Sequence, residues 1–218
     1  MFMTTADTAD IIFRYFPELS DAQRSSYERL KELYTDWNSK INVISRSDTG
    51  NLYERHVLHS LAIAAFLGPL KAGTKFMDLG TGGGFPGIPL AIFYPECTFH
   101  MVDRIGKKIR VASEIASAIG LSNVSFQHGD SGECRDKYDY VVSRAVMPLD
   151  ALLKACAKNI DSNSKIKNRM APGLVCLKGG DLAQEIEAAR RPVVDIPVTD
   201  FFTGEFFTTK DVIYVPFK

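Results

Sequence analysis

Residues 76–91, FMDLGTGGGFPGIPLA, constrain this chain more than any other stretch. An apolar run of strand character ends in an acid, Asp78, and five glycines follow within the eight residues 80–87. Glycine weakens a helix or strand interior by roughly 0.5–1 kcal/mol relative to alanine, yet it turns sharply and lets a backbone approach a neighbour closely. Pro86 then suits the first turn of a helix, where its missing N–H loses no bond. A strand, a backbone-lined turn and a helix are expected in that order. Open α/β sheets use this unit to hold a ligand at the carboxyl ends of their strands.

The rest of the chain supplies that sheet. From Thr74 onward, short apolar runs at 75–79, 98–103, 123–128, 138–143 and 173–178 alternate with helix-length stretches at 87–94, 104–119, 148–158 and 181–190. The alternation predicts a doubly wound, mostly parallel sheet. The runs 192–198 and 211–217 have no helix between them and predict an antiparallel C-terminal hairpin at the sheet edge, making seven strands. Residues 1–72 differ in period. Ser20 and Gln23 fit a capping box, and Tyr27, Leu30, Tyr34 and Trp37 follow at helical spacing. A second helix is expected over 52–67, with Tyr53, Val57, Leu61 and Ala64 on one face. The chain therefore divides into a helical N-terminal extension, 1–72, and an α/β domain, 73–218, expected to form one unit. Residues 159–173, NIDSNSKIKNRMAPG, are polar and basic and suggest a mobile surface loop.

The two acids choose among ligands for the glycine turn. From Gly82, GGGFPG matches the dinucleotide fingerprint G-x-G-x-x-G. From Gly80, where the strand ends, Phe85 stands in place of the third glycine. Asp78 would also repel a pyrophosphate. It suits the ammonium and sulfonium of S-adenosylmethionine instead. Asp103 ends the second strand, where a carboxylate accepts bonds from ribose hydroxyls. Asp130, after the third strand, is an acid at the same sheet edge, where an adenine amino group would lie. Gly80 to Gly84 should form the ligand-hugging loop. Arg144, after the fourth strand, is positioned to bind the cofactor carboxylate or to stack on a target base.

Composition bears on the partner. Lys plus Arg and Asp plus Glu are both 26, so no net charge draws the chain to nucleic acid. Local cations do exist: Arg104, Lys107, Lys108 and Arg110 on one helix, and Lys165, Lys167 and Arg169 in the 159–173 loop. Both clusters fit contact with RNA phosphates. Lys107 and Lys178 are also placed to hold phosphate or guanine O6. Arg55 and His56 are candidates for an RNA entrance. His56 and His59 lack a third ligand, and the four cysteines form no CxxC pair, so no metal site is expected. No apolar run approaches the roughly 18 residues of a membrane span. Residues 1–10 lack the basic start and apolar core of a secretory signal. A cytoplasmic protein with reduced thiols is expected.

Several blocks together resemble one family. WNSKINVIS (37–45), ERHVLHSLA (54–62), DLGTGGGFPGIPLAI (78–92), VDRIGKKIR (102–110), SRAV (143–146) and LKGG (177–180) occur in the order seen in RsmG, also called GidB, the bacterial 16S ribosomal RNA guanine-N7 methyltransferases. The resemblance covers about residues 25–180. It implies a class I (Rossmann-like) methyltransferase fold and cofactor contacts at Gly80, Phe85, Asp130, Ser131 and Arg144, with Asp103 on the ribose. It implies 16S RNA or a small-subunit particle as partner, with no obligate protein partner. Two positions depart from it. Many members carry Asp where this chain has His59, and many carry a basic residue where it has Phe206.

Guanine N7 already has a free lone pair, so methyl transfer to it needs no general base. Catalysis would rest on orientation and on a field that tolerates charge on the base. The catalytic candidates are accordingly Arg144 and Lys178, and the binding candidates at the turn are Asp78, Gly80, Gly82 and Phe85. Three other readings fit parts of the pattern: a small-molecule methyltransferase on the same fold, a nicotinamide-dependent dehydrogenase, and a non-enzymatic RNA-binding protein.

Overall fold

The computed structural model describes residues 7–45, 48–144 and 147–217. The N-terminal part builds on the expected capping box. Ser20 Oγ accepts from Gln23 N, and Gln23 Oε1 accepts from Ser20 N. The box starts α2 (Asp21–Lys40), which follows a short α1 (Asp10–Tyr15) and buries Tyr27, Leu30 and Tyr34. Gln23 Nε2 also donates 3.0 Å bonds to Ile92 O and Phe93 O, tying α2 to the last turn of α4 (Gly87–Phe93). The second helix departs from expectation. Residues Tyr53–Leu58 form a π-helix, in which His59 N bonds Glu54 O, before α3 (His59–Leu67) continues as an α-helix. Wide turns of this kind are frequent at functional sites, and this one carries Arg55 and His56.

The sheet has seven strands in the order β3-β2-β1-β4-β5-β7-β6. They are β1 (Lys75–Leu79), β2 (Thr98–Asp103), β3 (Val124–His128), β4 (Tyr140–Arg144), β5 (Gly173–Gly179), β6 (Val194–Pro197) and β7 (Lys210–Pro216). The first five are parallel, and β7 runs antiparallel to both β5 and β6. The expected C-terminal hairpin is thus present, with β7 as an interior strand. Besides α4, the crossovers use α5 (Gly106–Ala118) and α6 (Leu149–Cys156), and α7 (Ala183–Ala189) follows β5. Helix α5 starts at Gly106 rather than Arg104, because Asp103 Oδ1 takes the N–H of Ile105 and holds the entry turn.

Alternation along β1 sends its side chains into two cores. Phe76 faces one, with Phe99, Ile88, Val111, Tyr27, Leu30 and Leu61. Met77 and Leu79 face the other, with Val102, Val141, Leu149 and Ile213. The first core includes the N-terminal helices, so extension and sheet share buried surface. Strand order reverses between β1 and β4, which makes their carboxyl ends the switch point where ligands bind.

The 159–173 loop lies at the opposite end. Ser164 Oγ donates to Asp139, Asn168 Nδ2 donates to Thr74 Oγ1 at 3.0 Å, and Tyr140 and Tyr214 hydroxyls donate to Met170 O and Ala171 O at 2.7 and 2.8 Å. These are residues at the amino ends of the strands, apart from Tyr214, whose antiparallel strand ends there. The expectation of a mobile loop gives way to a segment fastened to the sheet. Its cations lie at the edge away from the glycine turn. A cavity of about 960 Å³ is also at this edge, between Lys75, Thr98, Tyr138 and Lys165.

Phe76 is fully buried, parallel to Phe99 with ring centroids 4.7 Å apart, and 5.3 Å from Tyr140. Phe76→Ala should lower unfolding stability by about 3–5 kcal/mol in denaturant melts, the usual cost of deleting a buried ring. A loss under about 1 kcal/mol would mean the stack does not anchor the sheet.

Candidate active site

The glycine turn is shaped by two carboxylates. Asp103 Oδ2 accepts from Gly82 N and Oδ1 from Ile105 N, both at 2.8 Å. Each oxygen keeps a free lone pair, which is what a ribose diol requires. Gly82 has φ 58°, and a Cβ there would meet nothing within 4 Å. Its neighbouring space is open for a ligand, while its conformation disfavours any side chain. Gly84, at φ 106°, is excluded from substitution by packing, since a Cβ would lie 2.4 Å from Ile88.

Asp78 is wholly buried. Its Oδ2 accepts from Gly87 N at 2.8 Å, and Oδ1 has no hydrogen-bond partner. Burial pushes the carboxyl up to about 7, against the pull of the Thr81 hydroxyl, the Gly87 N–H and the Arg144 charge. The Thr81 hydroxyl, which pulls on the carboxyl, is likewise buried without a partner of its own. A buried orphan acceptor normally has a partner, and the ammonium of a bound amino-acid moiety is a suitable one.

Arg144 closes the other side. It ends β4 with its guanidinium carbon 4.9 Å from the Phe85 ring centroid. One terminal nitrogen donates to His56 Nδ1 at 3.0 Å, and the other to Arg55 O at 3.4 Å. Burial lowers it to about 10, so it stays charged. Its hydrogen-bond partners are all neutral, which leaves it suited to a carboxylate ligand. His56 is held neutral, at about 3, by burial and then by the Arg144 charge. Accepting at Nδ1 puts its proton on Nε2, which is buried without a partner. Phe85 stacks on Tyr34 at 4.8 Å, and the Tyr34 hydroxyl donates to Gly83 O at 2.8 Å. Composition and spacing marked Tyr34 only as core. Nothing in its sequence context signals that it carries the turn.

Two cavities meet here. One of about 340 Å³ is bounded by Val43, Gly82, Phe85 and Arg144. One of about 600 Å³ is bounded by Asp130, Ser131 and Met147. Gly80, Asp103 and Lys108 border both. Val43 was missed in the sequence. Its signal is the WNSKIN block: Asn38 Oδ1 accepts from Val43 N and Ile44 N at 2.8 and 2.9 Å and so holds residues 43–44 beside the turn. Asp130 caps the turn Ser131–Glu133 through Gly132 N and pairs with Arg104.

The remaining candidates separate. Lys108, expected to contact RNA, lines both cavities together with Asp103. Lys107 and Arg110 are exposed. Lys178, expected at the reacting atoms, is committed elsewhere. Its Nζ bonds Met147 O at 2.9 Å and Glu185 at 2.6 Å, and Glu185 also accepts from Leu149 N. This places Lys178 as a tether between β5, α7 and the start of α6. Ala145 and Val146 of the SRAV block lie outside the described residues. His59 and Phe206, the two departures from the family pattern, touch each other edge to face at 5.4 Å.

Comparison with known proteins decides the family. The family model described as "GidB: rRNA small subunit methyltransferase G" matches residues 23–200. The chain belongs to this family. It is 55% identical over 205 residues to ribosomal RNA small subunit methyltransferase G of Bacteroides thetaiotaomicron, covering 94% of this chain and 98% of that protein. The protein of the same name from Porphyromonas gingivalis is 50% identical, with 95% and 93% covered. Among solved structures, a SAM-dependent methyltransferase from Aquifex aeolicus superposes with a TM-score of 0.54 at 18% identity, covering 81% and 96%. Precorrin-6y C5,15-methyltransferase of Geobacter metallireducens gives 0.52 at 13%, covering 80% and 90%. These distant structures establish a Rossmann-like methyltransferase fold. A shared fold names no substrate, so the GidB family match and not the fold separates an RNA methyltransferase from a small-molecule one. No helix among the described residues is long and apolar enough to cross a membrane.

Two predictions test the pocket. Asp103→Ala removes acceptors for two hydroxyls, each worth about 1 kcal/mol or more when charge-assisted, so S-adenosylmethionine affinity should fall about tenfold to a hundredfold by calorimetry. Unchanged affinity would remove Asp103 from the site. The second concerns pH. Ionised Asp78 is the form that attracts an ammonium, so affinity should rise as pH climbs to about 7. It should decline again above about 8, as the ligand's α-amino group loses its proton. Asp78→Asn should erase the ascending limb. If the limb survives that change, it belongs to another group.

Proposed function

We propose that this chain transfers a methyl group from S-adenosylmethionine to N7 of a guanine in 16S ribosomal RNA. Residues 1–72 act as a helical extension of the methyltransferase domain, 73–218, and a cytoplasmic setting follows from the substrate. Membership in the GidB family, rRNA small subunit methyltransferase G, carries this reading. The site's chemistry supports it. Open space beside Gly82, an orphan acceptor on Asp78, a diol acceptor on Asp103 and an unpaired cation on Arg144 suit the four parts of that cofactor in turn.

Bound S-adenosylmethionine supplies a methyl group on a sulfonium. The chain's own residues then have to orient and shield. Asp78 and Arg144 fix the amino-acid end, and Asp103 fixes the ribose. Asp130 and Ser131 border the far end of the larger cavity and suit the adenine. His56 is held neutral chiefly by burial. An N7 acceptor needs no general base. Its attack breaks the sulfur–methyl bond and places the positive charge on the guanine. Lys107 and Arg110, exposed on α5, suit RNA phosphates.

Mapping N7-methylguanine in 16S RNA from cells with and without this gene tests the reading directly; a site lost with the gene is expected. In single-turnover transfer with donor and RNA both saturating, the rate should stay flat between about pH 6 and 9, because rate profiles report essential titrating groups. Saturation matters, since Asp78 makes donor binding itself pH-dependent. A rate rising tenfold per pH unit would point to an acceptor that must first lose a proton and would sink the N7 assignment.

A further inference from the structure

The seam between the π-helix and the segment leading into β7 gathers positive charge around one ring. Phe206 lies in the 3₁₀ turn Glu205–Thr209. Its neighbour Phe207 is fully buried and packs on Phe202 and His59 at 5.7 and 6.4 Å, which fixes the turn and leaves Phe206 half-buried at the rim. The Arg55 guanidinium lies 5.6 Å from the Phe206 centroid, and the Lys210 ammonium 5.2 Å. Cations are attracted to an aromatic face by its quadrupole. One ring therefore brings together two like charges that come from opposite ends of the chain.

Their position is set by the sheet. Lys210 pairs with Gly179 across β5 and β7, and Arg144 pairs with Leu177 across β4 and β5. Lys210 thus sits at the carboxyl edge, the same edge as the glycine turn. Contacts run without a break from one to the other: Phe85 to His56 at 5.2 Å, Arg144 to Arg55 O, and Arg55 to Phe206. The charge is under-compensated. Arg55 pairs with Asp48 at 2.8 Å, but its Nε is buried without a partner. The Lys210 ammonium bonds only the neighbouring Thr209 hydroxyl, at 2.9 Å, and makes no ion pair among the described residues. His59, packed against both aromatic rings, is held neutral by burial, with the Arg144 and Lys210 charges adding to the shift. Its Nε2 is also unpartnered.

We propose that Lys210 and Arg55, held over Phe206, grip a phosphodiester of the RNA beside the target guanine. This rests on the RNA reading and names the part of the site that would hold the strand. Two cations against one ring on this rim, linked by contacts to the glycine-turn pocket, suit an anion that must be placed one nucleotide from the reacting base. Phe206 is a positioning residue in this arrangement. It holds the cations rather than touching the anion.

Lys210→Ala and Phe206→Leu test it, with binding to 16S RNA or the small-subunit particle measured across a salt series and S-adenosylmethionine affinity measured beside it. Losing one phosphate contact lowers the slope of log affinity against log salt by about 0.7–0.9. Lys210→Ala should weaken RNA binding severalfold, flatten the slope by about that amount and leave cofactor affinity within about twofold. Phe206→Leu keeps the apolar contact with Phe207 but removes the quadrupole, and should weaken binding in the same direction by less. Lys210→Arg should restore the slope, which a purely structural role would not require. An unchanged slope in Lys210→Ala overturns the proposal. So does a large loss in Phe206→Leu with none in Lys210→Ala, which would make the ring a stacking surface for a base. If the unaltered protein neither binds nor methylates ribosomal RNA, the underlying reading fails instead, and the two failures are distinct.

Discussion

One carboxylate, Asp103, organises the catalytic edge. It takes the N–H of Gly82 from the turn after β1 and the N–H of Ile105 from the turn after β2. Two loops from neighbouring strands are thereby locked to a single point, and the start of α5 is fixed by the same bond. Hydrogen bonds to an ionised acceptor are the stronger kind, so the open space beside Gly82 is held open rather than collapsed. The remaining oxygens and loops of the pocket take their positions relative to this point. From that helix start, Lys108 lines both cavities beside Asp103.

Behind that point lies a costly arrangement. Asp78 is buried and Arg144 half-buried, yet no hydrogen bond joins them. Each relies on partial support: Asp78 on the Gly87 N–H, and Arg144 on His56, the Arg55 carbonyl and the Phe85 face. Burying groups this poorly paired opposes folding. The carboxyl that results holds its proton to higher pH than usual, so this opposition is absent below its ordinary range and grows as pH rises to about 7. A ligand carrying both an ammonium and a carboxylate answers both deficits together. Pre-organised strain of this sort marks binding sites more often than structural cores.

Much of this was legible in the sequence, and the reasons are physical. Periodicity located every strand to within about two residues, because a doubly wound sheet buries its central strands on both faces. The acids at Asp78, Asp103 and Asp130 were legible because strand ends in this architecture converge on one edge. What escaped was whatever depends on a distant partner. Lys178 looks like any strand-end lysine until Glu185 closes on it from another helix. The cations of 165–169 look like an RNA patch until Asp139 and Thr74 fasten their loop to the far edge. A π-turn leaves no mark in the apolar spacing of residues 52–67, yet it aims Arg55 and His56.

The placement of β7 carries a consequence for synthesis. Strand β6 leaves the ribosome before β7, yet in the finished sheet β7 lies between β6 and β5. Until residues 210–216 emerge, β5 presents a row of unpaired backbone groups and β6 has nothing to pair with. Exposed edges of this kind recruit other strands. A chain in which residues 210–216 have not yet docked is therefore at its most adhesive, with the edge of β5 still open.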